Sequence, residues 1–189
     1  MHGETGGLVN ITISAKGKSV LKPEFKTKLN NGTEVIVRTI DACNKECISN
    51  EFNHLSKHSR YLRFCAPINK LSDTQLDYLT NVDNKNHVLI AITKTVEGVQ
   101  SGLGLGRYIK LLPDTEIAEF AITVADNYQN QGVGSLLIEL LIQHAKNNDV
   151  TILRGYILEF NKPMQRLLKR NNFKHTGIED GLPRYELTI

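Results

Sequence analysis

The sequence AEFAITV at residues 118–124, followed by QNQGVG at residues 129–134 and a long apolar helix, decides the fold of this chain. A strand here runs into a loop whose glycines let backbone N–H groups close around an anion, and the dipole of the following helix favours the same negative charge. Glu119 places one carboxylate on the strand just before that loop. A phosphate-binding loop beside a single candidate base predicts group transfer from a phosphorylated carrier.

Length and composition indicate one ordinary globular domain. The chain has 189 residues, 40% of them hydrophobic and 23% charged, and its net charge of +3 comes from scattered Lys and Arg. Scattered charge argues against a nucleic-acid partner. The first residues do not resemble a signal peptide, and the most apolar run, Leu136–Ile142, is broken by Glu139 and too short to cross a bilayer. We therefore predict a cytoplasmic protein with no membrane partner.

The three cysteines fit a reducing compartment better than a disulfide framework, because an odd number leaves one thiol unpaired. Cys43 and Cys47, with His54 and His58, loosely imitate a Cys₂His₂ zinc site. The two pairs are too close together, since zinc fingers leave about twelve residues or more between them. We predict two buried thiols, a solvated polar helix face and no metal.

Residues 1–32 differ from the rest in their content of Gly, Lys and Asn. We predict that they form an N-terminal extension, either a hairpin or a partly mobile segment, and that residues 33–189 form one domain. The turn signal Asn30-Asn31-Gly32 marks the boundary. Strands are predicted at residues 34–39, 87–93, 100–112, 116–124, 151–158, 173–177 and 185–189, and helices over 41–58, from 72, from 133 and from 162.

Local signals support these elements. Ser72 and Gln75 have the spacing of a capping box, and Asn161 precedes a helix with Pro163 in its first turn. His144 lies toward the apolar side of its helix, where a histidine is more often packed than catalytic. The order of elements indicates a mixed α/β fold, in which an antiparallel meander leads into a βαβ-like half.

The glycine segments permit more than one interpretation. QNQGVG matches neither the dinucleotide fingerprint nor the P-loop, and a turn followed by a helix cap would by itself explain its two glycines. A second run, GLGLG at residues 102–106, resembles a phosphate loop but is better explained as a kinked or twisted strand.

The pattern QxxGxG at residues 129–134, on a strand–loop–helix, is similar to the acetyl-CoA motif of the GNAT N-acetyltransferase superfamily. Within it, the chain most resembles the bacterial Pat-type protein lysine acetyltransferases over residues 34–189. The closer resemblance is carried by LSxxSRYLRF at 55–64, GRY at 106–108, AEFA at 118–121 with Val124 and Asp126, and NxxM at 161–164.

The resemblance implies a GNAT fold, with a twisted, mostly antiparallel central sheet, one splayed parallel pair and flanking helices. It also implies acetyl-CoA as co-substrate and no metal. The diphosphate of coenzyme A can bind the N–H groups at a helix N-terminus, and the amides of its pantetheine arm can pair with a strand edge. In the family, a backbone N–H near Thr123 holds the thioester carbonyl. The implied cofactor-binding residues are Ile122, Thr123, Val124, Gln129, Asn130, Gln131, Gly132, Val133, Gly134, Ser135 and Asn161.

Glu119 corresponds to the general base in the lysine acetyltransferases of this superfamily. A lysine amine, with a pKa of about 10.4, is almost wholly protonated at neutral pH, and the protonated form cannot attack a thioester. A carboxylate buried between Ala118 and Phe120 can take that proton directly or through water. A solvated strand residue without a catalytic role is the alternative interpretation.

Two positions depart from the family pattern. Leu168 stands where many relatives have a Tyr that acts as general acid for the leaving thiolate, and Asn172 replaces the usual Gly before the final Phe of the motif. A thiol pKa of about 8.5 lets the thiolate leave unassisted or take a proton from solvent, and Asn tolerates a left-handed turn.

These observations predict an acetyl-CoA-dependent N-acetyltransferase that acts on a protein lysine by direct attack within a ternary complex. Two other functions stay open. The first is acetylation of a small amine or amino acid, which a closed pocket would favour over an open acidic cleft. The second is a non-catalytic acyl-CoA sensor. The sequence does not identify the acceptor, the preferred acyl length, the oligomeric state or the regulation.

Overall fold

The computed structural model describes residues 24–189, which form an eight-stranded sheet flanked by five helices. The predicted extension therefore lies mostly outside the described residues. The strands are β1 (Glu24–Lys28), β2 (Glu34–Thr39), β3 (His87–Val96), β4 (Val99–Lys110), β5 (Ile117–Val124), β6 (Ile152–Tyr156), β7 (Lys174–Glu179) and β8 (Leu182–Thr188). The helices are α1 (Lys45–His54), α2 (Lys57–Phe64), α3 (Asp73–Thr80), α4 (Val133–Lys146) and α5 (Lys162–Arg170).

The strands are ordered β1-β2-β3-β4-β5-β6-β8-β7, and every neighbouring pair is antiparallel except β5 with β6. The parallel pair is short, because only residues 117–119 of β5 find partners, at residues 152–154 of β6. Beyond Glu119 the two strands separate while β5 continues to Val124. The predicted mixed α/β fold with a splayed parallel pair is confirmed.

Residues 24–28, which the sequence assigned to the extension, form a strand of the same sheet. β1 pairs with β2 from Glu24 opposite Arg38 to Lys28 opposite Glu34. The Asn30-Asn31-Gly32 turn, where the boundary was predicted, connects these two strands, and Gly32 has the positive φ of 84° that such a turn requires.

The sheet separates two apolar clusters. The larger one joins α4 and α5 to one face and includes Val35, Val37, Phe120 and Leu168. The smaller one joins α1 and α3 to the other face and includes Leu89 and Ala91 of β3. Strand alternation explains the division, since successive side chains point to opposite faces.

The second glycine run lies within β4, as predicted. Ile92 of β3 is opposite Gly104, but the next residue, Thr93, is opposite Gly102, so Leu103 is the extra residue of a β-bulge. Side chains of α1 and α4 fill the space beside these glycines. A Cβ on Gly104 would approach the Thr123 carbonyl oxygen to 2.9 Å. The run is structural and forms no phosphate loop.

Both predicted helix caps are present. The Ser72 hydroxyl accepts a hydrogen bond from Gln75 N at 3.2 Å, and the Gln75 side chain accepts one from Ser72 N at 2.9 Å, which completes the capping box. Asn161 Oδ1 accepts from Met164 N at 3.2 Å at the start of α5. No helix within residues 24–189 is both long and apolar enough to cross a bilayer.

The prediction of two buried thiols is wrong, because Cys43 and Cys47 are both exposed. α1 turns Ile48 and Phe52 toward the core, and this leaves the neighbouring face of the first turn, with Cys47, toward solvent. His54 and His58 are exposed, as predicted. Among the described residues no three His, Cys, Asp or Glu side chains are grouped as metal ligands.

His144 is packed against the sheet, as predicted. It is 2% exposed, and its Nδ1 lies 2.8 Å from the Tyr108 hydroxyl and 3.2 Å from Asn148 Nδ2. Burial lowers the pKa of His144 from 6.5 to about 4, because the imidazolium cannot be solvated there. The folded protein therefore holds this histidine neutral.

We expect the free energy of unfolding to fall as the pH is lowered from about 6.5 to about 4. In that interval His144 is protonated in the unfolded chain but neutral in the folded protein, so protonation favours unfolding. At the lower limit the free energy of unfolding falls by up to about 3 kcal/mol. Urea unfolding at several pH values measures the effect. His144→Gln should show a shallower decline over the same interval, and an equally steep decline would contradict the assignment.

Candidate active site

A groove of about 800 Å³ opens where β5 and β6 separate, between the end of β5 and the N-termini of α4 and α5. Every predicted cofactor-binding residue except Val133 lines it: Ile122, Thr123, Val124, Gln129, Asn130, Gln131, Gly132, Gly134, Ser135 and Asn161. The Val133 side chain is 1% exposed and packs in the larger core cluster. Val133 can face the groove through its backbone alone.

The N-terminus of α4 presents free backbone N–H groups to this groove. Gly132 stands at the N-cap with φ of 93°, and within the described residues no side chain caps the helix. The first helical hydrogen bond runs from Leu136 N to Gly132 O, so the amides before it are available to a ligand. An uncapped helix N-terminus facing a groove is suited to an anion.

The glutamines of the loop hold its shape. Gln129 Nε2 donates to Ser59 Oγ at 3.2 Å and to Val124 O at 3.3 Å, and Gln131 Nε2 donates to Asn127 O at 2.8 Å. Both side chains are therefore engaged within the protein, and they orient the amides that follow them.

Asp126 ties the start of α2 to the same loop. Its carboxylate accepts hydrogen bonds from Ser56 N at 2.8 Å, Ser56 Oγ at 2.7 Å and Ser59 Oγ at 2.7 Å. Partial burial opposes ionisation, but these hydrogen bonds outweigh it and lower the pKa of Asp126. The serines of the LSxxS motif and the aspartate after β5 thus form one network, although about seventy residues separate them.

We expect Asp126→Ala to reduce the free energy of unfolding by roughly 1 kcal/mol, a modest value because the carboxylate is exposed and screened. The contribution is present above a pH of about 4 and is lost as the pH falls, since the folded state holds the carboxylate ionised. A double-mutant cycle with Ser56→Ala, measured by urea unfolding, should give a coupling of similar size. Strictly additive losses would show that the network contributes nothing.

Several groove residues were not found from the sequence. Arg166 and Arg170, one helical turn apart on α5, line the groove, as do Asn30 and Asn31 of the β1–β2 turn. The basic i, i+4 pair was a usable signal, because two cations on one helix face beside a phosphate-binding loop favour an anionic ligand. The asparagines gave only a turn signal.

Glu119 is half-buried, whereas the sequence predicted a buried carboxylate. Strand alternation places it on the same face of β5 as Thr123, opposite to the buried Ala118 and Phe120. Glu119 does not line the groove. Thr123 lies four residues further along the strand, about 13 Å away in extended chain, so the carboxylate is displaced from the part of β5 that lines the groove.

A second cavity, of about 320 Å³, lies on the face of the sheet that carries α1 and α3. Its apolar walls include Ile40, Phe52 and Leu79, and its polar side chains include Arg38 and Glu51. No sequence pattern predicted this cavity. Arg63 and Thr123 line both the cavity and the groove, so the cavity and the groove meet beside these two residues.

Arg63 is surrounded by other charged groups. Burial is the main cause that lowers its pKa, and the positive charge of Arg107 acts in the same direction, while the Glu119 carboxylate opposes both; the result is a pKa of about 10. Arg63 stays charged at neutral pH. Glu119 and Arg107 are therefore near enough to Arg63 to influence its charge, although neither of them lines the groove or the cavity.

The two departures from the family pattern have different outcomes. Leu168 is fully buried and belongs to the larger core cluster, so nothing at this position can donate a proton in the groove. Asn172 has φ of 64°, the left-handed conformation that the sequence predicted.

The family model "Acetyltransferase (GNAT) family" matches residues 58–173, more than half of the chain. The chain belongs to the GNAT family, whose members take the acetyl group from acetyl-CoA, and it is an N-acetyltransferase.

Similar proteins agree with this assignment. An acetyltransferase of Pseudomonas aeruginosa is 28% identical over 139 residues, which are 74% of each chain. Acetyltransferase Pat of Mycolicibacterium smegmatis is 30% identical over 115 residues, 61% of this chain and 34% of that protein. The crystal structure of the GNAT domain of S. lividans PAT has a TM-score of 0.80 and 26% identity, and the alignment covers 88% of this chain and 97% of that one. The resemblance to Pat proteins is confirmed.

Proposed function

We propose that this chain transfers the acetyl group of acetyl-CoA to a primary amine by direct attack, with Glu119 as general base. The observation that supports this most strongly is the junction at Thr123. There a groove with a free helix N-terminus, suited to a diphosphate, meets a separate cavity suited to an acceptor. Two substrates that enter from opposite sides can react there without a covalent enzyme intermediate.

The residues fit coenzyme A in three ways. The amides of residues 131–135 are suited to the diphosphate, and Arg166 and Arg170 add positive charge for the remaining phosphate. β5 beyond Glu119 has no partner on its β6 side, so the edge at residues 122–124 can pair with the pantetheine amides. Asn161 caps α5 through its side chain and lines the same groove.

The chemistry requires one proton transfer before bond formation. Glu119 takes a proton from the ammonium through a water, and the neutral nitrogen attacks the thioester carbonyl carbon. The C–N bond forms, the C–S bond breaks, and the sulfur keeps the bonding electrons as a thiolate, which solvent protonates. The Ile122 N–H faces the unpaired edge of β5, because its neighbour Thr123 is the residue that bonds Leu105 of β4. Directed at the carbonyl oxygen, it would supply the fixed dipole that stabilises the developing negative charge.

Two acceptors remain candidates. A protein lysine side chain is the acceptor that the Pat-type motifs of the sequence imply, and the chain is similar to Pat proteins along most of its length. The second cavity supports a small amine, because about 320 Å³ with apolar walls lies at the lower end of the size range of small-molecule sites. A cytoplasmic location remains a prediction.

Incubation with labelled acetyl-CoA tests the proposal. One set of reactions contains lysate proteins, followed by mass spectrometry of modified lysines, and the other contains small amines, with release of free CoA as the readout. We expect an acetylated amine in at least one set and stoichiometric CoA. A protein that binds acetyl-CoA but acetylates nothing in either set would contradict the proposed activity.

A further inference from the structure

Three guanidinium groups lie on the face of the sheet that carries the second cavity. Arg38 of β2 is directly opposite Ala91, and Arg107 of β4 is directly opposite Leu89, with both neighbours of β3 in the apolar cluster of that face. Arg63 reaches the same region from α2 and lines the cavity together with Arg38. Arg107 is near enough to Arg63 to lower the pKa of Arg63, but only Arg38 and Arg63 line the cavity.

Their donors are not satisfied by the protein. Arg38 Nε, Arg107 Nε and Arg107 Nη1 are buried, and within residues 24–189 none of them has a hydrogen-bond partner. An unpaired buried donor is costly, and more so when it carries charge. Arg107 lies over the Tyr78 ring at 5.1 Å and Arg63 over the Phe64 ring at 4.8 Å. Stacking fixes the guanidinium planes and leaves their N–H edges free for a partner.

The acidic side chains nearby do not balance this charge. The negative charge of Glu119 interacts with Arg63 and raises the pKa of Arg63. Glu51 lies at the rim of the cavity, where its Oε1 accepts a hydrogen bond from Gly102 N at 3.0 Å. The charged side chains that line the cavity are Arg38, Arg63 and Glu51, and two guanidinium groups against one carboxylate leave one positive charge in a partly buried space with apolar walls. The cavity is thus suited to a ligand that carries an anionic group.

We propose that the acceptor is a small amine that carries a carboxylate, of the amino-acid type, with the carboxylate held by Arg38 and Arg63 and the amine directed to Thr123. The inference rests on the proposed acetyl transfer and narrows its acceptor. The carboxylate takes no part in bond making, since the amine nitrogen still forms the C–N bond and the thiolate still leaves. The guanidinium groups select the acceptor and orient it.

Matched acceptor pairs test this directly. Free amino acids and their carboxamides have the same side chain and amine but differ in the carboxylate. The amide has the more easily deprotonated amine, so intrinsic reactivity favours the amide and a preference for the acid must come from the protein. With the full chain and saturating acetyl-CoA, we expect kcat/KM for the best acid to exceed that of its amide at least about tenfold, most of it in KM.

Arg38→Met provides the matching variant. We expect it to raise KM for the acid about tenfold or more and to bring the acid-to-amide ratio toward one. A structural defect would lower both members of the pair and leave the ratio unchanged. Lys174→Met, which removes an exposed cation on β7 at the far edge of the sheet, is the control and should leave the ratio as in the wild type.

The outcomes separate the inference from the activity beneath it. Three results would overturn the inference and leave acetyl transfer intact. The first is equal kcat/KM for the acid and its amide, and the second is an unchanged acid-to-amide ratio in Arg38→Met. The third is turnover only with lysine peptides, at rates that do not depend on whether Glu or Gln stands beside the lysine. When no amine at all is acetylated, the proposed activity fails. Calorimetry with N-acetyl amino acids and their amides then decides the inference alone, and equal binding of both overturns it.

Discussion

Glu119→Gln is expected to lower kcat by at least about 100-fold while the Kd for acetyl-CoA changes little. Gln has nearly the same shape as Glu but cannot accept a proton, so the ammonium form of the acceptor persists and does not attack. Glu119 does not line the cofactor groove, and its neutralisation should therefore leave the contacts to the cofactor unchanged. The carboxylate also faces Arg63, so a smaller change in acceptor KM is expected as well.

Steady-state rates and calorimetry with acetyl-CoA measure the two effects separately. Glu116→Gln is the matched control, because Glu116 is exposed and precedes β5 by one residue. It should retain the wild-type kcat. Raising the pH should partly restore the rate of Glu119→Gln, since hydroxide and solvent then deprotonate the amine without help. A variant with full activity at neutral pH would show that Glu119 is only a strand residue.

Gly134→Val is expected to weaken acetyl-CoA binding by at least about 100-fold. Gly134 lies in the first turn of α4 and lines the groove. A Cβ there would already approach Leu167 Cδ2 to 3.1 Å and Ile122 Cδ1 to 3.7 Å. The branched side chain must therefore project into the space that the ligand needs, which would cost two or more charge-assisted hydrogen bonds from the helix N-terminus.

Gly134→Ala is the graded control for this substitution. Its single methyl group meets the flexible end of Leu167, which can shift by a few tenths of an ångström, so we expect less than about a tenfold loss of affinity. Calorimetry gives the Kd, and thermal unfolding without ligand shows whether each variant is folded. Wild-type affinity in a folded Gly134→Val protein would exclude this helix N-terminus as the diphosphate site.

The parts of the molecule that could be predicted from the sequence are those specified by local patterns. The strand–loop–helix around residues 118–146, the caps at Ser72 and Asn161, and the bulged glycine run in β4 each follow from a few adjacent residues. The same holds for most of the cofactor groove, because one loop and one strand end supply most of its residues.

The second cavity could not be predicted, because its walls come from β2, α1, α2, α3, β3, β4 and β5 and exist only once these elements pack together. Arg38 belongs to no motif in the sequence, and the motifs that contain Arg63 and Arg107 do not indicate that Arg38 and Arg63 line one cavity. The exposure of Cys47 was missed for a related reason. It depends on how α1 is rotated about its axis, and Ile48 and Phe52 fix that rotation.

The most direct test of the account is a crystal structure of the protein with acetyl-CoA. We expect diphosphate oxygens within hydrogen-bond distance of the amides of residues 131–135. We expect the thioester between β5 and β6 with its carbonyl oxygen at Ile122 N, beside Thr123, on the side that opens into the second cavity. A diphosphate bound away from the N-terminus of α4, or a thioester directed away from the face of Glu119, would contradict the account.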